Sequence, residues 1–228
     1  MAVDLQATPD PDSPQNAEPP VATKEKFPTS LIHAYLARLA ALHDEAAETA
    51  YLANLVGRTP WAASLLGVAG LLTVVIAIRS MPLPALALAL WLAMLAVAIA
   101  ATALVYGRAS TAPFDRDMLK IFARNLSVVL ILAGVAWGSG VLLALPDDIG
   151  VLQTIIYALG VPTAIAAIFR ARDIGNCFVV PATATAVLGA LLHGLSPVVT
   201  VGILLGGTAI VVAGALFERI APLQAQEG

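Results

Sequence analysis

Charge is what this sequence has least of. Only 12% of its 228 residues are Asp, Glu, Lys or Arg, about half of the roughly 25% carried by a water-soluble domain. That is too little to cover a soluble surface. Cysteine is nearly absent too: Cys177 stands alone, which excludes an intramolecular disulfide and a cysteine-built metal site. No excess of positive charge exists, since the formal net charge is −3, so there is no basic footprint for nucleic acid. The opening Met1-Ala2-Val3-Asp4 is acidic and soon proline-rich. It has neither the basic n-region nor the apolar h-region of a cleavable signal peptide, so the first span is expected to act as its own insertion signal.

What the chain has is hydrocarbon. Hydrophobic residues make up 59% of it, and its mean hydropathy is +0.88. They fall in blocks long enough for a helix to cross the roughly 30 Å apolar layer of a bilayer. The intervals between charged residues place the spans. Twenty uncharged residues lie between Arg58 and Arg79, 28 between Arg79 and Arg108, 22 between Arg124 and Asp147, and 21 between Asp148 and Arg170. The 44 between Asp173 and Glu218 suffice for two spans, with a hinge at His193-Gly194-Leu195-Ser196-Pro197. The expected fold is an all-α polytopic membrane protein. Its six transmembrane helices fall near 60–79, 84–106, 124–146, 148–169, 176–193 and 197–217, within a domain spanning 59–219.

Thr59 is the expected N-cap of the first span, with Pro60 at its first helical position. Ahead of it, residues 1–29 form a proline-rich tail, with Pro9, Pro11, Pro14, Pro19, Pro20 and Pro28 among polar residues. Its composition predicts disorder. Residues 30–58 then read as a separate amphipathic helix. Ile32, Tyr35, Leu36, Leu39 and Leu42 make an apolar stripe, while Arg38, His43, Asp44, Glu45 and Glu48 supply polar faces. The acidic patch disfavours adsorption to anionic lipid, so the stripe is expected to pack onto a partner helix or onto the rest of the protein. A short tail, 220–228, closes the chain. The segment from Pro113 to Phe122 reads as a helical start with Thr111 or Ala112 near its cap, and with Phe114, Met118 and Ile121 on one interfacial face.

Eleven of the twelve Lys and Arg residues fall on one side of the predicted topology, and only Arg79 on the other. By the positive-inside rule both termini are expected to face the cytoplasm.

Apart from Arg79, Arg124 and Asp148 at span ends, no Asp, Glu, Lys or Arg falls inside a predicted span. Intramembrane ionisable groups mark proton relays, ion paths and substrate charges, so their absence points away from pumps and voltage sensors. Polar chemistry is left to hydroxyls and backbone. Pro162 and Pro181 each free a carbonyl one turn earlier, and Thr163, Thr183 and Thr185 stand beside them. Together these five residues could line a polar pocket or a path for a neutral solute; the simpler alternative is that the hydroxyls accommodate kinks. Small residues recur four apart at Ala63 and Gly67, Gly134 and Gly138, and Gly202 and Gly206. This spacing lets helices approach closely, within the chain or, through the last span, between two copies.

Catalytic patterns are thin. His33 and His43 have no third metal ligand near them. Gly138-Ser139-Gly140 with His193 superficially resembles the serine–histidine dyad of rhomboid proteases, but Trp137 stands where their Gly-x-Ser-Gly needs glycine. No enzyme constellation and no cofactor or metal site is expected.

One arrangement is more informative. It comprises Ala50-Tyr51-Leu52-Ala53-Asn54-Leu55 before the first helix, Phe122-Ala123-Arg124-Asn125 ending the charged loop, Gly134-Val135-Ala136-Trp137-Gly138 in the third span, Leu145-Pro146, and Val180-Pro181-Ala182. Over about residues 50–219 this resembles the six-helix MASE-like membrane input regions of bacterial histidine kinases and diguanylate cyclases. The resemblance implies a non-catalytic sensory or regulatory role through a signalling partner. No H-box, ATP-binding glycine motif or GGDEF sequence follows, so the chain is either a stand-alone relative or an input region without its output. The other reading left open is a small permease or channel for a neutral solute.

Overall fold

The computed structural model describes residues 29–79, 85–111, 115–145, 150–169 and 172–224, with side chains between Glu48 and Leu216 except those of Arg79 and Arg172. The proline-rich tail, the outer turn with Pro82 and Pro84, Phe114, Pro146 and Arg170 lie outside the described residues. So do the side chains of Ile32, Tyr35, Leu36, Leu39 and Leu42. The chain divides into two units, Met1–Asp44 and Glu45–Gly228, of which the second contains all that follows on packing.

Every described element is helical: α1 (Thr29–Arg79), α2 (Ala85–Thr111), α3 (Arg116–Gly138), α4 (Gly140–Leu143), α5 (Val151–Phe169), α6 (Arg172–Leu192) and α7 (Pro197–Gln224). Six stretches are long and apolar enough to cross a membrane. The protein is an all-α polytopic chain.

Helix ends follow local chemistry. Gln153 reaches back to the backbone N–H of Gly150 at 2.9 Å, the carboxamide half of a capping box, so α5 starts at Val151. At the end of α6, Gly194 takes φ +64°. Its N–H bonds the Leu191 carbonyl while the Leu195 N–H bonds that of Ala190. This is a Schellman stop, and it needs a left-handed residue that glycine supplies. Ser196 then receives the Val199 N–H at 2.9 Å, with Pro197 at the first position of α7.

Three boundaries differ from expectation. Thr59 does not cap a new helix: its hydroxyl bonds back to the Leu55 carbonyl at 2.8 Å, and α1 runs through Pro60 without a break. The amphipathic stretch and the first span are therefore one helix. Thr111 is the last residue of α2, with its hydroxyl on the Gly107 and Arg108 carbonyls; the N-cap of α3 is Asp115, in extended conformation. The third span is interrupted at Ser139, which separates α3 from α4.

The centre of the second unit is the pair α3 and α6, about half of whose spans are buried, whereas α1, α2, α5 and α7 leave most of theirs exposed. One core cluster joins Leu55 and Leu66 of α1, Trp91 of α2, Leu126 and Leu130 of α3, Ile165 of α5 and Phe178 of α6. A smaller one joins Ala158, Ala186 and Ile203 of α5, α6 and α7. In lipid the outward Leu, Val and Ile need no cover, so close packing and backbone approach hold the helices together.

Candidate functional site

Two glycines of α3 lie against the backbone of α6. A Cβ on Gly134 would stand 2.5 Å from the Phe178 carbonyl, and one on Gly138 would collide with the Thr185 hydroxyl and the Ala182 carbonyl. The obstacles are mainly backbone, which cannot swing away, so glycine is what lets α3 lie on α6. Pro181 packs into the same contact, 3.0 Å from the Gly134 position. Thr185 bonds the Pro181 carbonyl at 2.7 Å.

Beside this crossing an aromatic column ties three helices to the α3 break. The Trp91 indole donates to the Ala136 carbonyl at 2.8 Å, in the last turn of α3, where carbonyls run out of helical partners. Ser139 donates to the same carbonyl at 2.9 Å. Trp137 donates to the Tyr157 carbonyl at 3.2 Å, and its ring stacks on Tyr157 with centroids 4.8 Å apart and meets Trp91 at 6.2 Å. The Tyr157 hydroxyl is buried against Gly140 with no hydrogen-bond partner among the described residues.

A third set fixes the lead of α1 from Glu48. Glu48 pairs with Arg116 at 2.5 Å and Lys120 at 3.5 Å, both on the first turns of α3. Three turns later Arg58 donates to the Phe169 carbonyl at 3.0 Å, a cation set against the C-terminal end of α5, where the helix dipole is negative. Leu52, Leu55 and Val56 fill the space between with Leu119 and Phe122.

The residues picked out for a polar pocket are not brought together. Thr163 is exposed and bonds its own helix at Leu159. Thr183 faces Gly207 of α7, while Thr185 faces Gly138 of α3. Two positions apart on a helix are about 200° apart around it, so these hydroxyls cannot share a lining. Pro162 is buried, and Pro181 belongs to the α3 contact. Gly202 and Gly206 are turned to Ile155 and Leu159 of α5, so that face is used within the chain rather than offered to a second copy. Met118 and Ile121 are exposed at the start of α3.

His193 lies with its Nε2 2.6 Å from the Leu142 carbonyl. A carbonyl only accepts, so in this contact the imidazole nitrogen is the donor. Among the described residues no three of His, Cys, Asp and Glu gather as a metal site. No family model, curated protein or solved structure matches the chain.

Sequence reading missed Trp91 and Tyr157. The signal was present: a buried indole N–H needs an acceptor, and Trp91 interrupts a run of Ala and Leu that offers no side-chain partner.

Proposed function

We propose that the chain is a non-catalytic regulatory input module of a bacterial inner membrane, working in signal transduction by passing a change of helix packing to a protein partner. The observation that supports this is the continuity of α1. The residues of the apolar stripe and those of the first span belong to one helix, and that helix is anchored to α3 through Glu48 and to α5 through Arg58. A shift at either anchor acts on the same helix that carries Ile32, Tyr35, Leu36, Leu39 and Leu42. The likeness to MASE-like input regions points the same way, and the distribution of Lys and Arg favours cytoplasmic termini.

The test is site-specific photocrosslinking in cells. A crosslinker at Leu36, Leu39 or Leu42 is expected to give one discrete protein adduct, absent at Ala37 and Ala41 on the opposite face. Equal labelling of both faces overturns the reading. So does glycerol flux above empty vesicles in liposomes holding the purified protein, which would make it a permease.

A further inference from the structure

Between α2 and α3 the structure leaves an apolar groove of about 340 Å³. Ala93, Met94, Val97 and Ala101 line it from α2, and Leu132 and Val135 from α3. It is built mostly of small side chains at the level of mid-span, and its rim residues Val97 and Leu132 are well exposed. It faces the lipid.

The second observation lies above it. Met94, Ala101 and Arg108 are seven residues apart along α2, which returns each to within about 20° of the last on the same face. Arg108 therefore stands over the groove, about 10 Å from Ala101 and about 21 Å from Met94 along the axis. It is exposed, and no ion pair or side-chain hydrogen bond among the described residues occupies its guanidinium. Asn125, also exposed, holds the matching place on α3, seven before Leu132. Of the acids nearby, Glu48 is taken by Arg116 and Lys120, and Asp115 and Asp117 are exposed on the first turn of α3.

We propose that this face binds one phospholipid, with an acyl chain in the groove and its phosphate held by Arg108 and Asn125. The dimensions suit an acyl chain that descends from Arg108: half of the roughly 30 Å hydrocarbon core is about 15 Å, and the near part of the groove, from Ala101 to Val97, lies about 10 to 16 Å along the axis from Arg108. A bare hydrocarbon would fill the groove but leave the arginine unused. A free phosphate would meet the arginine but leave the groove empty. Only a ligand with both parts in this offset uses both, and Arg matches phosphate oxygens with paired donors.

The test is native mass spectrometry of the full chain, delipidated in maltoside detergent and titrated with dipalmitoyl phosphatidylglycerol, with dipalmitoylglycerol as the phosphate-free arm. The wild type is expected to retain one phospholipid and to bind the phosphate-free lipid about tenfold more weakly, as loss of a charged hydrogen bond implies. Arg108→Gln and the groove-filling Ala101→Phe are each expected to weaken phospholipid binding by about tenfold, whereas Ala96→Phe, on another exposed face of α2, is expected to leave it unchanged. Equal affinity for the two lipids overturns the proposal. So does wild-type binding by Arg108→Gln or by Ala101→Phe. If Ala101→Phe does not fold, Val97→Trp at the exposed rim blocks the groove in its place and is read the same way.

Discussion

The indole N–H of Trp91 and the backbone carbonyl of Ala136 meet at 2.8 Å across the α2–α3 interface, with the Trp91 ring wholly buried. The bond fixes α2 against the point where α3 gives way to α4. Replacing the indole by phenyl keeps most of the packing and removes the donor. Trp91→Phe is therefore expected to cost about 1–2 kcal/mol, and Trp91→Ala about 3–5 kcal/mol. Denaturation by sodium dodecyl sulfate from mixed micelles, followed by far-ultraviolet circular dichroism, measures both.

Gly138 gives a sharper test, because its obstacle includes backbone. Gly138→Ala is expected to lose about 2–3 kcal/mol, in the range for overpacking, and Thr185→Ala is not expected to rescue it, since the Ala182 carbonyl remains in the way. Gly107→Ala and Gly214→Ala, with nothing within 4 Å of the added methyl, are expected to be neutral or slightly stabilising. Thermal melting of the four variants in one detergent decides this.

Thr183 has a buried hydroxyl with no partner among the described residues. A methyl in its place removes an unmet polar group without leaving a hole. Thr183→Val is expected to raise the melting temperature, by an amount corresponding to about 1 kcal/mol; a fall would mean that the hydroxyl is bonded.

The α1 anchors respond differently to salt. Arg58→Gln is expected to cost about 1 kcal/mol at low or high ionic strength, because the Phe169 carbonyl it serves is partly sheltered. Glu48→Arg is expected to lower the melting temperature only at low salt, and Arg116→Glu in the same chain to restore it. The pair is well exposed, and such pairs fade with screening.

The spans were legible because each is bounded by charges that cannot enter the hydrocarbon. What lies inside them was not. Thr59-Pro60 reads as a helix start since both residues favour one, but the buried Thr59 hydroxyl took a carbonyl of its own helix and α1 continued. The interruption at Ser139 falls in Gly138-Ser139-Gly140, a weak point for a helix, but its partner could not be read locally: it is compensated by Trp91, 48 positions earlier in the chain. Thr183 and Thr185 look like neighbours in sequence, yet their helix turns them to different partners. Gly134 and Gly138 were visible as a close-packing pair, while α6 as their partner could be fixed only in three dimensions.

The central pair also sets an order of assembly. In chain order α6 carries the fifth span and α3 the third, so at synthesis the glycine face of α3 must enter the bilayer before its mate exists. Until Phe178 and Ala182 emerge, that face lacks its mate, while Trp91 of the second span is already present to bond the Ala136 carbonyl of α3. A ribosome stalled between the fourth and fifth spans would thus hold a nascent chain with its central seam still unzipped.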